Sequence, residues 1–130
     1  MSVLFAKIYK NPNFKSIISK LPYASKIKID KTNLKFCRFQ HGWIEKKNIK
    51  PVTYKNKDIF KHIQIFKGVK YIWGGKTFKG IDCSALIQIC FNFNNKFCPR
   101  DSVAQAKYFK KNINLKNIQK NDIIYWKGHV

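Results

Sequence analysis

Cys83, preceded by Asp82, is a residue type that can act as a nucleophile. Both residues come just before an unbroken apolar run, residues 85–91. The run alone fits a buried helix or a core strand, but aspartate is a preferred N-cap, which favours a helix with Cys83 at its first position. A thiol there meets unpaired backbone N–H groups and the positive end of the helix dipole, which favour the thiolate. The same N–H groups can stabilise an oxyanion, so Cys83 is the candidate nucleophile.

A thiol nucleophile also needs a base, and His129 is the candidate. An imidazole can take the thiol proton and later protonate a leaving amine, so the pair predicts an acyl-transfer site. The alternative is that Cys83 is a packed core residue and His129 an incidental residue at a strand end. From spacing alone this alternative is favoured, because one cysteine and one distant histidine prove little.

The other cysteines, Cys37, Cys90 and Cys98, form no CxxC pair, and the three histidines are too widely spread to complete a zinc site. We therefore expect no metal and no cofactor. The start of the chain lacks the order of a signal peptide, so the expected compartment is the reducing cytoplasm and the cysteines are interpreted as free thiols. No apolar run approaches the roughly 20 residues needed to span a bilayer.

Five short strand-like segments separated by turn residues occupy the first 50 residues, which predicts a small β-barrel or sandwich ending at Pro51. The segments are Leu4–Tyr9, Ser16–Leu21, Lys26–Ile29, Lys35–Phe39 and Gly42–Glu45, with a turn at Asp30–Asn33.

The later segments change period. Apolar residues at helical spacing predict a short amphipathic helix over Lys57–Phe66 and a second helix over Val103–Phe109 with Ser102 as its cap. The β-rich run Ile123–Trp126 predicts a strand, and Gly74 and Gly75 predict a tight turn with close backbone approach.

Five motifs in order resemble the NlpC-type cell-wall peptidases, which are papain-like bacterial cysteine peptidases. The resemblance covers about residues 54–130, and Ala85 stands where the family usually has glycine. The motifs are Tyr71-Ile72-Trp73-Gly74-Gly75, Gly80-Ile81-Asp82-Cys83-Ser84-Ala85-Leu86-Ile87-Gln88, Pro99-Arg100-Asp101-Ser102 with Gln105, Asn121-Asp122-Ile123-Ile124-Tyr125-Trp126, and Gly128-His129-Val130.

The resemblance implies an α+β fold with two domains. Residues 1–51, with Gly42-Trp43-Ile44 near their end, resemble the bacterial SH3-like barrel that precedes the peptidase in many members and helps to form the substrate groove. Residues 52–130 would be the papain-like peptidase domain, incomplete at its C-terminus. In the family a third polar residue that orients the base follows on the next strand, so we expect a truncated domain of doubtful activity.

By the same resemblance, Cys83 is the nucleophile and His129 the general base. Tyr71, Asp82 and Ser84 match residues that hold the free amino terminus of a stripped peptidoglycan peptide. A carboxylate can pair with an ammonium group while hydroxyls fix its direction. Each also has a plain structural interpretation: core aromatic, N-cap and first-turn residue. Trp73, Trp126 and Gln105 are assigned to structure.

The implied reaction is hydrolysis of the bond between γ-D-glutamate and the diamino acid of peptidoglycan-derived peptides, through a Cys83 thioester. A free-amine subsite implies a recycling enzyme for small peptides. Two other classes stay open: an inactive member that only binds wall peptides, and a basic nucleic-acid-binding module.

The net charge of +21 comes from 25 lysines and only two arginines, and an excess of Lys, Ile and Asn suggests compositional bias, so no specific nucleic-acid partner is expected. The sequence does not predict an oligomeric state.

Overall fold

The computed structural model describes residues 3–109 and 113–130, and its chain divides into two compact units, residues 1–54 and 55–130. The division falls three residues after Pro51, where the sequence predicts the domain boundary. Residues 1 and 2 of the predicted first domain and residues 110–112 of the second lie outside the described residues. No helix in the described ranges is long and apolar enough to cross a membrane.

The first unit is one antiparallel sheet of five strands in the order β2-β1-β5-β4-β3. The strands are β1 (Phe5–Tyr9), β2 (Ile17–Pro22), β3 (Lys31–Thr32), β4 (Phe36–Phe39) and β5 (Gly42–Glu45). Four of the five predicted segments are therefore confirmed. The sheet places β2 and β3 at its edges, and an SH3-like barrel stays a prediction.

The core of this sheet is aromatic and aliphatic. Ile44 and Tyr9 are 0% and 2% exposed, and the Tyr9 ring packs edge-on against Phe36 with ring centroids 5.4 Å apart. The buried Tyr9 hydroxyl donates a hydrogen bond of 3.0 Å to Glu45 on the neighbouring strand. Burial of these side chains supplies the main stabilisation of the sheet, because apolar surface removed from water contributes about 25 cal/mol per Å².

The predicted strand over residues 26–29 is wrong, and the predicted turn that follows it contains β3 instead. The Asn33 side chain accepts hydrogen bonds from the backbone N–H groups of Lys35 and Phe36, at 3.0 and 2.7 Å. This tight turn pairs Lys31 with Arg38 in β4. Alternation of side chains marks a possible strand, but only the turn geometry decides which residues face a partner.

The second unit contains two α-helices and a two-stranded ribbon. The helices are α1 (Cys83–Phe93) and α2 (Ser102–Phe109), and the ribbon strands are β6 (Lys76–Thr77) and β7 (Gly80–Ile81). Both helices agree with the sequence, including Asp82 as the N-cap of α1 and Cys83 as its first residue. The architecture is therefore α+β, as expected.

Two predicted elements of this unit are wrong. Of the predicted helix over residues 57–66, only Ile63–Phe66 is helical, as a 3-10 turn. The Asp58 carboxylate accepts from the Phe60 N–H at 2.9 Å, and such local side-chain bonds compete with helix formation. In the described part of the chain, residues 123–126 form no strand, and of these four residues Trp126 alone pairs, in an isolated bridge with His129.

Candidate active site

The turn that leads into α1 is built on two glycines. Gly74 has φ of +76°, a conformation that side-chain-bearing residues rarely adopt. A Cβ at Gly75 would lie 2.6 Å from the Gly80 carbonyl oxygen and 2.9 Å from that of Ile72. The predicted tight turn and close backbone approach are confirmed. Only glycine at position 75 leaves room for these two carbonyl groups.

Asp82 connects this turn to the helix. Its Oδ1 accepts a hydrogen bond from the Ala85 N–H at 2.8 Å, which caps α1, and its Oδ2 accepts from the Gly74 N–H at 2.9 Å. The residue is 6% exposed. One buried carboxylate therefore fixes both the glycine turn and the first turn of the helix.

Arg100 completes this carboxylate cluster. Its Nη1 donates to Asp82 Oδ1 and to Ser84 Oγ, each at 2.9 Å, and its Nη2 donates to Asp82 Oδ2. Burial alone would raise the pKa of Asp82. The hydrogen bonds from Arg100 and from the backbone N–H groups outweigh burial, so this pKa is lowered and the carboxylate is charged at neutral pH.

Cys83 lies between Asp82 and Ser84, the two residues that Arg100 binds. Its exposure differs from that of the other three thiols. Cys83 is partly exposed, whereas Cys37, Cys90 and Cys98 are each 2% exposed. Burial raises the pKa of the Cys90 thiol to about 12 and that of Cys98 to about 11. Deep burial in apolar surroundings makes a cysteine inert, so Cys83 is the thiol best placed to react.

Tyr71 lies beside Cys83 and Asp82. A parallel bridge between Tyr71 and Ile81 brings it there from the segment before the glycine turn. Its pKa is raised, first by desolvation and then by the neighbouring Cys83 and Asp82. The side chain is 58% exposed, so Tyr71 is not the core aromatic of the plain structural interpretation.

His129 is held by a different set of contacts. Its backbone pairs with Trp126, and the two rings stack with centroids 5.9 Å apart. The Ser102 hydroxyl donates to the Gly128 carbonyl at 2.8 Å, which attaches this turn to α2. Ser102 is the first residue of α2, whereas the sequence predicts it as the cap that precedes the helix, and its hydroxyl holds the histidine turn.

The buried side chain of Gln105 connects α2 with the start of α1. Gln105 is 0% exposed, and its Nε2 donates to the carbonyls of Ser84 and Pro99 at 2.8 and 2.9 Å. Its Oε1 accepts from the Tyr125 hydroxyl at 3.4 Å. In the described residues, contacts bring Tyr71, Asp82, Cys83, Ser84 and Arg100 together, and they connect His129 to this group through α2.

Arg100 and Gln105 belong to the sequence motifs, but the sequence predicts a site role for neither. One signal was available for Arg100. Arginine is rare in this chain, with two against 25 lysines, and its planar guanidinium fork is the side chain suited to contact both oxygens of a carboxylate. Within the described ranges, no group of three His, Cys, Asp or Glu side chains is arranged to hold a metal ion.

Part of the second unit is similar to a known protein family. Residues 68–130, which contain the glycine turn, both helices and His129, match the model of the NlpC/P60 family. This part of the chain is therefore an NlpC/P60 family domain.

Individual relatives agree with the family match. Dipeptidyl-peptidase 6 of Lysinibacillus sphaericus is 37% identical over 60 residues, which are 46% of this chain and 22% of that protein. Gamma-D-glutamyl-L-lysine dipeptidyl-peptidase of Bacillus subtilis is 29% identical over 91 residues, 68% of this chain and 30% of that protein. The chain thus spans less than a third of the length of either relative.

A solved structure resembles the fold. The crystal structure of an NlpC/P60 family protein from Bacillus cereus has a TM-score of 0.72 and 22% sequence identity, and the match covers 92% of this chain and 43% of that one. At this identity the likeness concerns the fold alone.

Proposed function

We propose that this chain is the catalytic part of a cysteine peptidase that hydrolyses the bond between γ-D-glutamate and the diamino acid of peptidoglycan-derived peptides. The observation that carries the proposal is the partly exposed Cys83 in the first turn of α1, with the three other thiols buried. The named activity of the Bacillus subtilis relative, a γ-D-glutamyl-L-lysine dipeptidyl-peptidase, supports the choice of bond.

In the proposed reaction His129 takes the proton of Cys83, and the sulfur attacks the γ-carbonyl carbon of D-glutamate. The oxyanion that forms is stabilised by backbone N–H groups at the start of α1 other than that of Ala85, which the Asp82 cap already uses. The C–N bond then breaks, and the imidazolium gives its proton to the leaving amine of the diamino acid. Water, activated by His129, attacks the thioester and releases the D-glutamyl product and the free thiol.

Tyr71, Asp82 and Ser84 form the proposed subsite for the amino terminus of the peptide. Tyr71 supplies an exposed hydroxyl beside Cys83. Asp82 and Ser84 are each 6% exposed and already bonded to Arg100, so an incoming ammonium group would share the carboxylate with this guanidinium. Tyr71 is therefore the residue of the three with the most direct access to substrate.

Selective alkylation tests the nucleophile. With iodoacetamide added in equimolar amount at neutral pH, we expect Cys83 to be modified at least about tenfold faster than any other cysteine, because the other three are buried. Peptide mapping by mass spectrometry measures the modification at each site. Equal rates at Cys83 and the buried thiols of the folded protein would contradict an activated nucleophile.

A substrate comparison tests the amino-terminal subsite. We expect acetylation of the peptide's amino terminus to lower kcat/KM by at least about tenfold, because it removes a charge that an anionic subsite recognises. The matched measurement uses Tyr71→Phe, which removes only the hydroxyl and should reduce the difference between the two substrates. An enzyme that cleaves free and acetylated peptides equally well has no such subsite. Binding of either peptide without cleavage would instead favour a wall-peptide-binding protein.

A further inference from the structure

We infer that Arg100 is a positioning residue for the candidate nucleophile, and that it acts through Asp82. The inference rests on the proposed function, because it assigns a role in preparing Cys83 for reaction. The two side chains that Arg100 binds, Asp82 and Ser84, are the immediate neighbours of Cys83 on either side.

The geometry of the contact is that of a clamp. The two terminal nitrogens of the guanidinium reach both carboxylate oxygens of Asp82, and Nη1 also reaches the Ser84 hydroxyl at 2.9 Å. Arg100 lies 18 residues from Asp82 and 16 from Ser84, at the entrance to α2. A planar, bidentate contact of this kind restricts direction as well as distance, so it fixes the first turn of α1 against α2.

The guanidinium of Arg100 also compensates the negative charge of Asp82, which lies next to the thiol. The Asp82 side chain is 7% exposed, and a carboxylate at that depth needs a compensating cation. Without Arg100 its negative charge would stand uncompensated one residue from Cys83, where it disfavours a thiolate. The pKa of Arg100 is raised, first by its hydrogen bond to Asp82 and then by the nearby negative charges, with Cys83 the last of these.

The chain offers a matched control for this arginine. Its only other arginine, Arg38, is exposed on β4 in the first unit. Replacing Arg38 changes the net charge by the same amount as replacing Arg100. An effect that follows from overall charge will therefore appear in both variants, and an effect of the clamp will appear in one.

The experiment measures the second-order rate constant for alkylation of Cys83 by iodoacetamide in Arg100→Ala, Arg100→Lys and Arg38→Ala. We expect a loss of at least about tenfold for Arg100→Ala, a smaller loss for Arg100→Lys and less than about twofold for Arg38→Ala. Peptide hydrolysis should show a fall in kcat that matches the fall in the alkylation rate. KM does not test the inference, because Asp82 and Ser84 also form the proposed amino-terminal subsite.

A double-mutant comparison tests whether Arg100 acts through Asp82. Asp82→Asn keeps the cap and removes the charge that Arg100 compensates, so in this background Arg100→Ala should change alkylation by less than about twofold. A role of Arg100 that does not pass through Asp82 predicts the same loss in both backgrounds, and that result would overturn the inference.

Alkylation of Arg100→Ala within about twofold of wild type would also overturn it. If circular dichroism shows that Arg100→Ala does not fold, the test uses Arg100→Lys, which keeps the charge, with Arg38→Lys as its control. The inference then requires slower alkylation of Cys83 in Arg100→Lys than in Arg38→Lys. Because alkylation needs no turnover, a wild-type chain that cleaves no peptide contradicts the proposed function while the alkylation series still decides the role of Arg100.

Discussion

Replacing Cys83 by alanine is expected to lower kcat/KM for γ-D-glutamyl-diamino acid peptides by at least about 1000-fold, because alanine has no group that can form the thioester. Alanine is a strong helix former, and position 83 is partly exposed, so the variant should keep its fold and its stability. Chromatographic separation of the released products measures the rate in both proteins.

Cys37→Ala is the matched control for the loss of a thiol. Cys37 is 2% exposed and lies in the first unit, in β4. Its replacement should lower stability by about 1 kcal/mol through a small cavity and leave hydrolysis within about twofold of wild type. If Cys83→Ala retained more than about a tenth of the wild-type rate, the covalent mechanism would be wrong.

The second large effect concerns the glycine turn beneath the site. Gly75→Ala is expected to lower the free energy of unfolding of the second unit by about 2–3 kcal/mol. The new Cβ would lie 2.6 Å from the Gly80 carbonyl oxygen and 2.9 Å from the Ile72 oxygen, and both are backbone atoms that cannot rotate away. Urea unfolding followed at 222 nm measures the loss, since α1 and α2 both lie in this unit.

Gly68→Ala separates this steric effect from a conformational one. Gly68 has φ of +81° but nothing within 4 Å of an added Cβ, so alanine there costs only the left-handed conformation, about 1 kcal/mol. If Gly75→Ala lowered the free energy of unfolding by no more than Gly68→Ala does, the turn would be able to relax around the new Cβ. Position 75 would then not require glycine.

The sequence predicted correctly the features that depend on residues close to each other in the chain, and it failed where a feature depends on a more distant partner. The start of α1 depends on a contact from Asp82 to Ala85, three residues away, and such a cap is visible in the residue order. The segments over 26–29 and 123–126 have the right composition for strands, yet a strand needs a partner. In these two cases the partner was set by the Asn33 turn and by the His129 bridge.

The segment over residues 57–66 failed for a related reason. Its apolar spacing fits a helix, but i to i+3 hydrogen bonds such as that from the Ile63 N–H to the Phe60 carbonyl, at 2.9 Å, replace the α-helical pattern. Periodicity reports which side chains face a core. It does not report whether the backbone between them closes three-residue or four-residue turns.

By itself the sequence determined the helix that carries Cys83, its aspartate cap and the glycine turn, because all three depend on contacts between near neighbours or on the conformations that glycine alone allows. Only the tertiary structure decided what surrounds them. It brought Arg100 across 18 residues onto Asp82 and used Gln105 to join α2 to the first turn of α1. It also buried three of the four thiols. Such contacts follow from packing and from the need to compensate a buried charge, and neither leaves a periodic mark in the residue order.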